Sequence, residues 1–230
     1  KLPVSDAIVM TEGKRILFAI PWGERTILGT TDTDYHGSLE NVRADATDIQ
    51  YVLKIANRFF PKAKITAQNI ISSWAGLRPL VANLDGTPSD ISRSHQIKNP
   101  EPNWWDVTGG KLTTYRLMAE QTVDQIVKKN GGNFSPCRTA VEMLLPENET
   151  VGCSGILPPE FCGSAVEHYC ATEWAWHLDD VMVRRSGWHY YFPDAAKKSL
   201  EVANRMSEIL DWSPERKTEE LSRYKKVTNQ

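Results

Sequence analysis

With 230 residues, 27 basic against 29 acidic side chains and a net charge of −2, the chain has material for one large or two small domains and shows no broad basic footprint for nucleic acid. Its four cysteines (137, 153, 162 and 170) include no CxxC pair, so neither a zinc site nor a disulfide framework is indicated, and reduced thiols in a cytoplasmic setting fit best. No apolar run is long enough for a membrane-spanning helix and no signal peptide precedes the first strand, which leaves peripheral membrane contact open.

The chain opens KLPVSDAIVM, without an initiator methionine and as if in the middle of a folded region, so it reads as a piece of something longer. Ile16–Ile20 and Thr26–Gly29 are β-rich runs joined by Pro21-Trp22-Gly23-Glu24-Arg25, a hairpin by pattern and by turn chemistry. A polar stretch leads to a predicted helix from Thr47 to Phe60, with Ile49, Val52, Leu53, Ala56 and Phe60 on one face. Thr47 with Gln50 resembles a capping box and Pro61 stops the helix.

A strand-rich group is expected next, over 64–73, around Ile91–Ile97 and over Trp104–Thr108. Leu112, Tyr115, Ala119, Val123, Ile126 and Val127 then recur at helical spacing until Asn130-Gly131-Gly132. Residues 133–160, rich in Pro, Gly, Cys and Asn, read as a linker. Helices are expected over Ala165–Trp176, Asp179–Arg185 and Asp194–Leu210, with Ser213-Pro214-Glu215 capping a last one. The order is thus α+β over 1–132, a linker over 133–160, and a small all-α domain over 161–230.

Three short segments stand above this background. In GTTDTDYHG (29–37), hydroxyls and carboxylates follow a strand directly, and hydrogen bonding within a turn is the preferred reading. In SSWAGLRPL (72–80), Arg78 emerges from a stiff apolar backbone. It is either a preorganised fork for carboxylate or phosphate, or the partner of an internal acid. In VTGGKLTTYR (107–116), two glycines, Lys111 and two threonines crowd the head of a helix. A solvated strand-to-helix turn would explain them, and so would a ligand facing unpaired amides at the positive end of the helix dipole. Arg93, in DISRSHQI, adds a further cation beside His95, which reads either as a general base or as a polar surface residue. His168, Cys170 and His177 are not read as a metal site, and the Asn148-Glu149-Thr150 sequon is read as chance.

In this order, IPWGERTILGTTDTDYHG, SSWAGLRPL, DISRSHQI and VTGGKLTTYRLMAEQTVDQIV closely resemble the FAD-dependent glycerol-3-phosphate dehydrogenases. EWAWHLDDVMVRR resembles the helical C-terminal domain of that family, so the likeness covers most of the chain. The resemblance implies an antiparallel-sheet cap portion plus the last strand–helix of an FAD-binding fold, followed by the small all-α domain. It implies oxidation of sn-glycerol 3-phosphate to dihydroxyacetone phosphate, with hydride passed to FAD and electrons then to a quinone, or to oxygen in oxidase relatives. Arg78 and Arg93 would contact substrate. Gly109, Gly110, Lys111, Leu112, Thr113 and Thr114 would lie against the flavin, with Lys111 near the reacting centre. Placement at the cytoplasmic side of the inner membrane and homo-oligomeric assembly are further implications.

Two departures from the family pattern bear on function. The GxGxxG dinucleotide fingerprint is absent, so the pyrophosphate-binding half of the flavin site is not in this sequence and the chain alone is expected to be inactive. The link from the GGK helix to EWAWHLDDVMVRR is also shorter than the family pattern. A rival reading makes the chain a non-catalytic assembly or partner-binding module, with Trp174, Trp176, Trp188, Tyr190, Tyr191, Phe192 and Trp212 as its contact surface. The preferred alternative for these aromatics is the module's own core.

Overall fold

The computed structural model describes residues 2, 4–13, 15–40, 42–78, 94–132, 134–142 and 157–228. It contains two compact units, one formed by Lys1–Gly76 with Val151–Gln230 and the other by Leu77–Thr150.

The first unit opens with an antiparallel meander, β1 (Ile8–Glu12), β2 (Arg15–Trp22) and β3 (Arg25–Gly29), in that spatial order. The hairpin expected from sequence is β2–β3, closed at Trp22↔Arg25; β1 had not been singled out. Period-2 alternation places Met10, Leu17 and Ala19 on the inner face, where they bury Ile55 of α1 (Ala46–Phe59). The apolar residues at intervening positions, Val9, Ile16, Phe18 and Ile20, remain exposed.

The cap of α1 lies two residues before the expected one. Asp45 and Asp48 form the reciprocal box, with the Asp48 amide donating to Asp45 Oδ1 at 2.8 Å. A carboxylate at the N-cap serves the orphan amides as well as a threonine would and also complements the dipole. Residues 64–73 are not a strand. Asn57 takes both the amide and the carbonyl of Ile65, and Asn69 accepts from the Thr66 amide, so side chains fold this stretch around a 3₁₀ turn at Ala67–Asn69.

The helical part of this unit comprises α3 (Gly163–Thr172), a π-helical turn at Asp180–Arg185, α4 (Trp188–Tyr191), α5 (Ala195–Leu210) and α6 (Pro214–Thr228). The helix expected over Ala165–Trp176 ends earlier because Trp174 turns into the left-handed region (φ 57°). That turn sends Ala175 into the core and leaves Trp174 and Trp176 outside, 80% and 59% exposed. The aromatic run therefore divides: Trp188 is fully buried and Phe192 and Trp212 pack against the core, while Trp174 and Trp176 face solvent. Tyr169, Leu178, Met182, Val202, Met206 and Tyr224 complete that core, and the Trp188 indole donates to Pro159 O at 3.0 Å.

Two carboxylates are buried in the same layer. Asp179 accepts from Arg223 and Arg184, and Glu220 from the Leu178 amide, His177 and Arg216. Tyr190 and Tyr191 fasten the helices to the sheet side of the unit. The Tyr191 hydroxyl accepts from the Glu24 amide at 3.0 Å and its ring meets Trp22 edge-on, at the turn where Gly23 (φ 56°) leaves room.

In the second unit, β4 (His95–Glu101) and β5 (Trp104–Gly109) form a hairpin that carries α2 (Tyr115–Lys129). β4 starts at His95, and residues 91–93 of the expected strand lie outside the described residues. His95 Nε2 meets Gln121 Oε1 at 2.6 Å, and Lys129 reaches the Asn99 side chain and the Trp105 ring. None of the described residues of this unit is buried. A hairpin and one helix present a single layer with little to bury.

Candidate functional site

The connection from β5 to α2 is the turn singled out in the sequence. Gly109 (φ 75°) and Gly110 (φ 85°) are both left-handed, a pair of conformations that side chains with a Cβ resist. Gly110 has a second constraint. A Cβ there would lie 2.4 Å from Met118 Sδ and 3.3 Å from His95 Cβ, so β4 and the first turn of α2 close in on bare backbone. The chain then makes a 3₁₀ turn at Leu112–Thr114 and enters α2 at Tyr115, three residues later than helical spacing suggested.

Thr114 locks that turn. Its hydroxyl accepts from the Lys111 amide at 3.1 Å and donates to the Lys111 carbonyl at 3.0 Å, while its own amide donates to the same carbonyl at 2.9 Å. Thr114 therefore shapes the loop through its hydroxyl, and two amides of the expected flavin-facing segment, those of Lys111 and Thr114, are used internally. The outer surface of the turn is open: Leu112 is 89% exposed, Tyr115 65%, and Lys111 is exposed. No acidic residue occupies the first turn of α2, so the positive end of its dipole is not neutralised from within the helix, and Lys111 adds to it. Such a surface can hold a flat, anionic group against backbone and amides.

The other expected residues are placed less fully. Arg78 is exposed and lies in a stretch, 71–78, without helix or strand. Arg93 lies outside the described residues. His95 joins β4 to α2 through Gln121, which accounts for its ring without a role as base. Arg116, within the same motif, pairs with Glu120 and donates to Thr139. Met118 had not been singled out, because a methionine on a helix face reads as ordinary packing; its place against Gly110 is visible only in three dimensions.

Elsewhere, the histidines near Cys170 are engaged by acids: His168 meets Glu173 at 3.1 Å and His177 meets Glu220 at 2.8 Å. Burial and then the nearby Asp180 push the Cys170 thiol up to about 11, which makes it a poor nucleophile. Among the described residues no helix is long and apolar enough to cross a membrane.

Residues 1–125 match the family described as FAD dependent oxidoreductase. The chain is 44% identical over 142 residues to the aerobic glycerol-3-phosphate dehydrogenase of Bacillus subtilis, a match covering 60% of this chain and 26% of that protein. It is 37% identical over 145 residues to the protein of the same name from Staphylococcus aureus, again 60% of this chain and 26% of the relative. The chain thus spans about a quarter of the length of these curated relatives. In three dimensions it is similar to glycerol-3-phosphate dehydrogenase from Bacillus halodurans, solved in complex with FAD: the TM-score is 0.76 at 24% identity, covering 99% of this chain and 54% of that one. That likeness establishes a shared fold of mixed helix and sheet.

Proposed function

The chain belongs to the FAD dependent oxidoreductase family, and from that premise we propose that it forms the substrate-cap and late flavin-contacting part of a glycerol-3-phosphate dehydrogenase. The observation that carries this reading is the Gly109–Thr114 turn: a left-handed diglycine and an exposed, unneutralised helix end on a layer that buries none of its described residues. The identity to two aerobic glycerol-3-phosphate dehydrogenases over this stretch supports the choice of substrate.

The residues present fit a flavin. Gly109 and Gly110 keep the backbone bare, and Leu112 and Thr113 offer an exposed surface at the helix end. When bound, FAD supplies the two-electron acceptor for the carbinol hydride of sn-glycerol 3-phosphate. The rest falls to the chain. The α2 terminus and Lys111 stabilise negative charge where it develops, and Thr114 holds Lys111 in position by closing the turn on its amide and carbonyl. Arg78, and Arg93 with it, bind the dianionic phosphate through forked, charge-assisted hydrogen bonds and orient the substrate. The division into a cap and flavin-contacting region over 1–132, a linker over 133–160 and a helical domain over 161–230 belongs to the same proposal. So do a quinone as final acceptor, peripheral contact with the inner membrane from the cytoplasmic side, and a homo-oligomer.

The GxGxxG-bearing half is needed for activity on this reading. The test is to purify the chain alone and joined to such a half, then compare flavin absorbance and dye reduction with glycerol 3-phosphate. Only the joined protein should be yellow and active, and Arg78→Ala in it should raise KM. A stoichiometric, active flavoprotein from the chain alone would refute the requirement.

A partner-binding role for the helical part is a second reading, favoured by the exposure of Trp174 and Trp176. It predicts that Trp174→Ala with Trp176→Ala weakens assembly and leaves substrate turnover intact.

A further inference from the structure

We infer that Gln121, through its bond to His95, is a positioning residue for the start of α2, and that this clasp tunes how strongly the chain favours reduced over oxidised flavin. This rests on placing the flavin against Gly109–Thr114.

All the groups involved belong to one unit, Leu77–Thr150. β5 ends at Gly109, whose partner across the β4–β5 ladder is His95. From Gly109 the chain runs through the diglycine and the 3₁₀ turn into α2, and at Gln121 it returns to the same histidine. Gln121 Oε1 lies 2.6 Å from His95 Nε2. His95 thus holds both ends of the connection: the ladder fixes Gly109 on one side, and the ring fixes Gln121 on the other. The His95 Cβ is also one of the atoms that closes in on Gly110.

Little else places this end of the helix. None of the described residues of the unit is buried, so no apolar core orients α2. Lys129 reaches Asn99 and the Trp105 ring, but at the opposite end of the helix. Met118 lies against Gly110, and a thioether shifts easily. Gln121, in the second turn, fixes the end that carries Lys111 and the turn. That end matters electrically, because the field of a helix dipole falls off within about one turn. A small swing of α2 therefore changes how well its terminus stabilises the negative charge of a reduced flavin.

The chemistry of the contact fixes the variants. Oε1 can only accept, so the His95 Nε2–H is the donor. Gln121→Met keeps the length and the helix propensity but has no such acceptor, while Gln121→Glu retains one. In the full chain, the amides of Lys111, Thr114 and Tyr115 are hydrogen-bonded within the turn. Their exchange should quicken by on the order of fivefold in Gln121→Met, with amides 124–129 of α2 unchanged as the control for folding. Gln121→Glu should keep the protection of the wild type. In the FAD-loaded assembly, Gln121→Met should lower the flavin midpoint potential by roughly 20 mV, the equivalent of about fivefold for a two-electron couple. In a His95→Leu background, Gln121→Met should add no further change to exchange or potential, since the two act through one bond.

Unchanged exchange in Gln121→Met, or fully additive effects with His95→Leu, overturns the positioning role whatever the flavin does. Faster exchange with an unaltered potential, where Lys111→Ala does lower the potential, overturns the tuning of the flavin. Faster exchange with a potential that neither Gln121→Met nor Lys111→Ala alters overturns the placing of the flavin against the turn instead, so the failures are distinguishable.

Discussion

Asp179 and Arg223, 44 residues apart, close the seam between the π-helical turn and α6 through an Nε–Oδ1 contact of 2.9 Å on a fully buried carboxylate. Burial pushes this carboxyl up, but the hydrogen bonds from Arg223 and Arg184 outweigh it and hold it below the ordinary range. A carboxyl depressed in the folded state contributes stability that is present above its unfolded value and lost as pH falls through the folded one. Helical content should therefore melt at progressively lower temperature as the pH drops below about 4, and Asp179→Asn should flatten that dependence. Arg223→Ala leaves a buried charge with one guanidinium fewer and should cost about 3 kcal/mol in urea unfolding at neutral pH. A loss within about 0.5 kcal/mol would mean that Arg184 alone satisfies the carboxylate.

His189 gives a second pH dependence in a different window. Its ring is held by Tyr224, and burial lowers its pKa below the usual value. The unfolded chain then binds a proton that the folded one resists, so stability is full above about pH 6.5 and falls as the pH drops below it. His189→Asn should remove this slope between about pH 6.5 and 5 while lowering the neutral-pH melting temperature by a few degrees. A slope unaltered by the substitution would place the titration elsewhere.

Trp188 tests the helical core directly. It is fully buried, meets Phe161 at a centroid distance of 4.8 Å, and satisfies the Pro159 carbonyl through its indole N–H. Trp188→Ala should destabilise the chain by about 3–5 kcal/mol through the cavity it leaves. Trp188→Phe keeps most of the ring contact and orphans one carbonyl, for a smaller loss of about 1–3 kcal/mol. Urea unfolding followed by circular dichroism reads both, and a Trp188→Phe variant as stable as the wild type would show that the hydrogen bond contributes nothing.

Much of this architecture was legible in one dimension because it rests on periodicity and on local chemistry. The β2–β3 hairpin, α1, α2, α5 and the start of α6 follow apolar spacing bounded by Gly, Pro and capping residues. The failures share a cause. Residues 64–73 look strand-like, but Asn57 and Asn69 capture the backbone groups that a sheet would need. At Trp174 the helical pattern continues in sequence while the backbone turns left-handed to bury Ala175 and Leu178.

The site divides along the same line. Gly109 to Thr114 are contiguous, so their composition announced the turn. The partners that shape it were silent: Met118 against Gly110 and Gln121 on His95 are meetings of side chains from separate elements. Arg78 stood out by its stiff neighbours, and nothing in the sequence pointed to the contact of Ser72 with Tyr190, 118 residues away.

Gly110 offers the sharpest test of the turn. Two separate penalties attach to a methyl group there: the left-handed backbone, and a contact with the end of the Met118 side chain. Only the second can be relieved by a neighbour, since a thioether can swing away or be truncated and a φ of 85° cannot be altered without reshaping the β5–α2 connection. Gly110→Ala should cost about 1–3 kcal/mol of local stability, read as faster amide exchange over 109–115, and should weaken FAD binding in the assembled flavoprotein. Adding Met118→Ala should recover the steric part and leave the backbone part. Full recovery in the double variant would mean that the turn needs space at Gly110 rather than a left-handed residue, and that the diglycine serves packing alone.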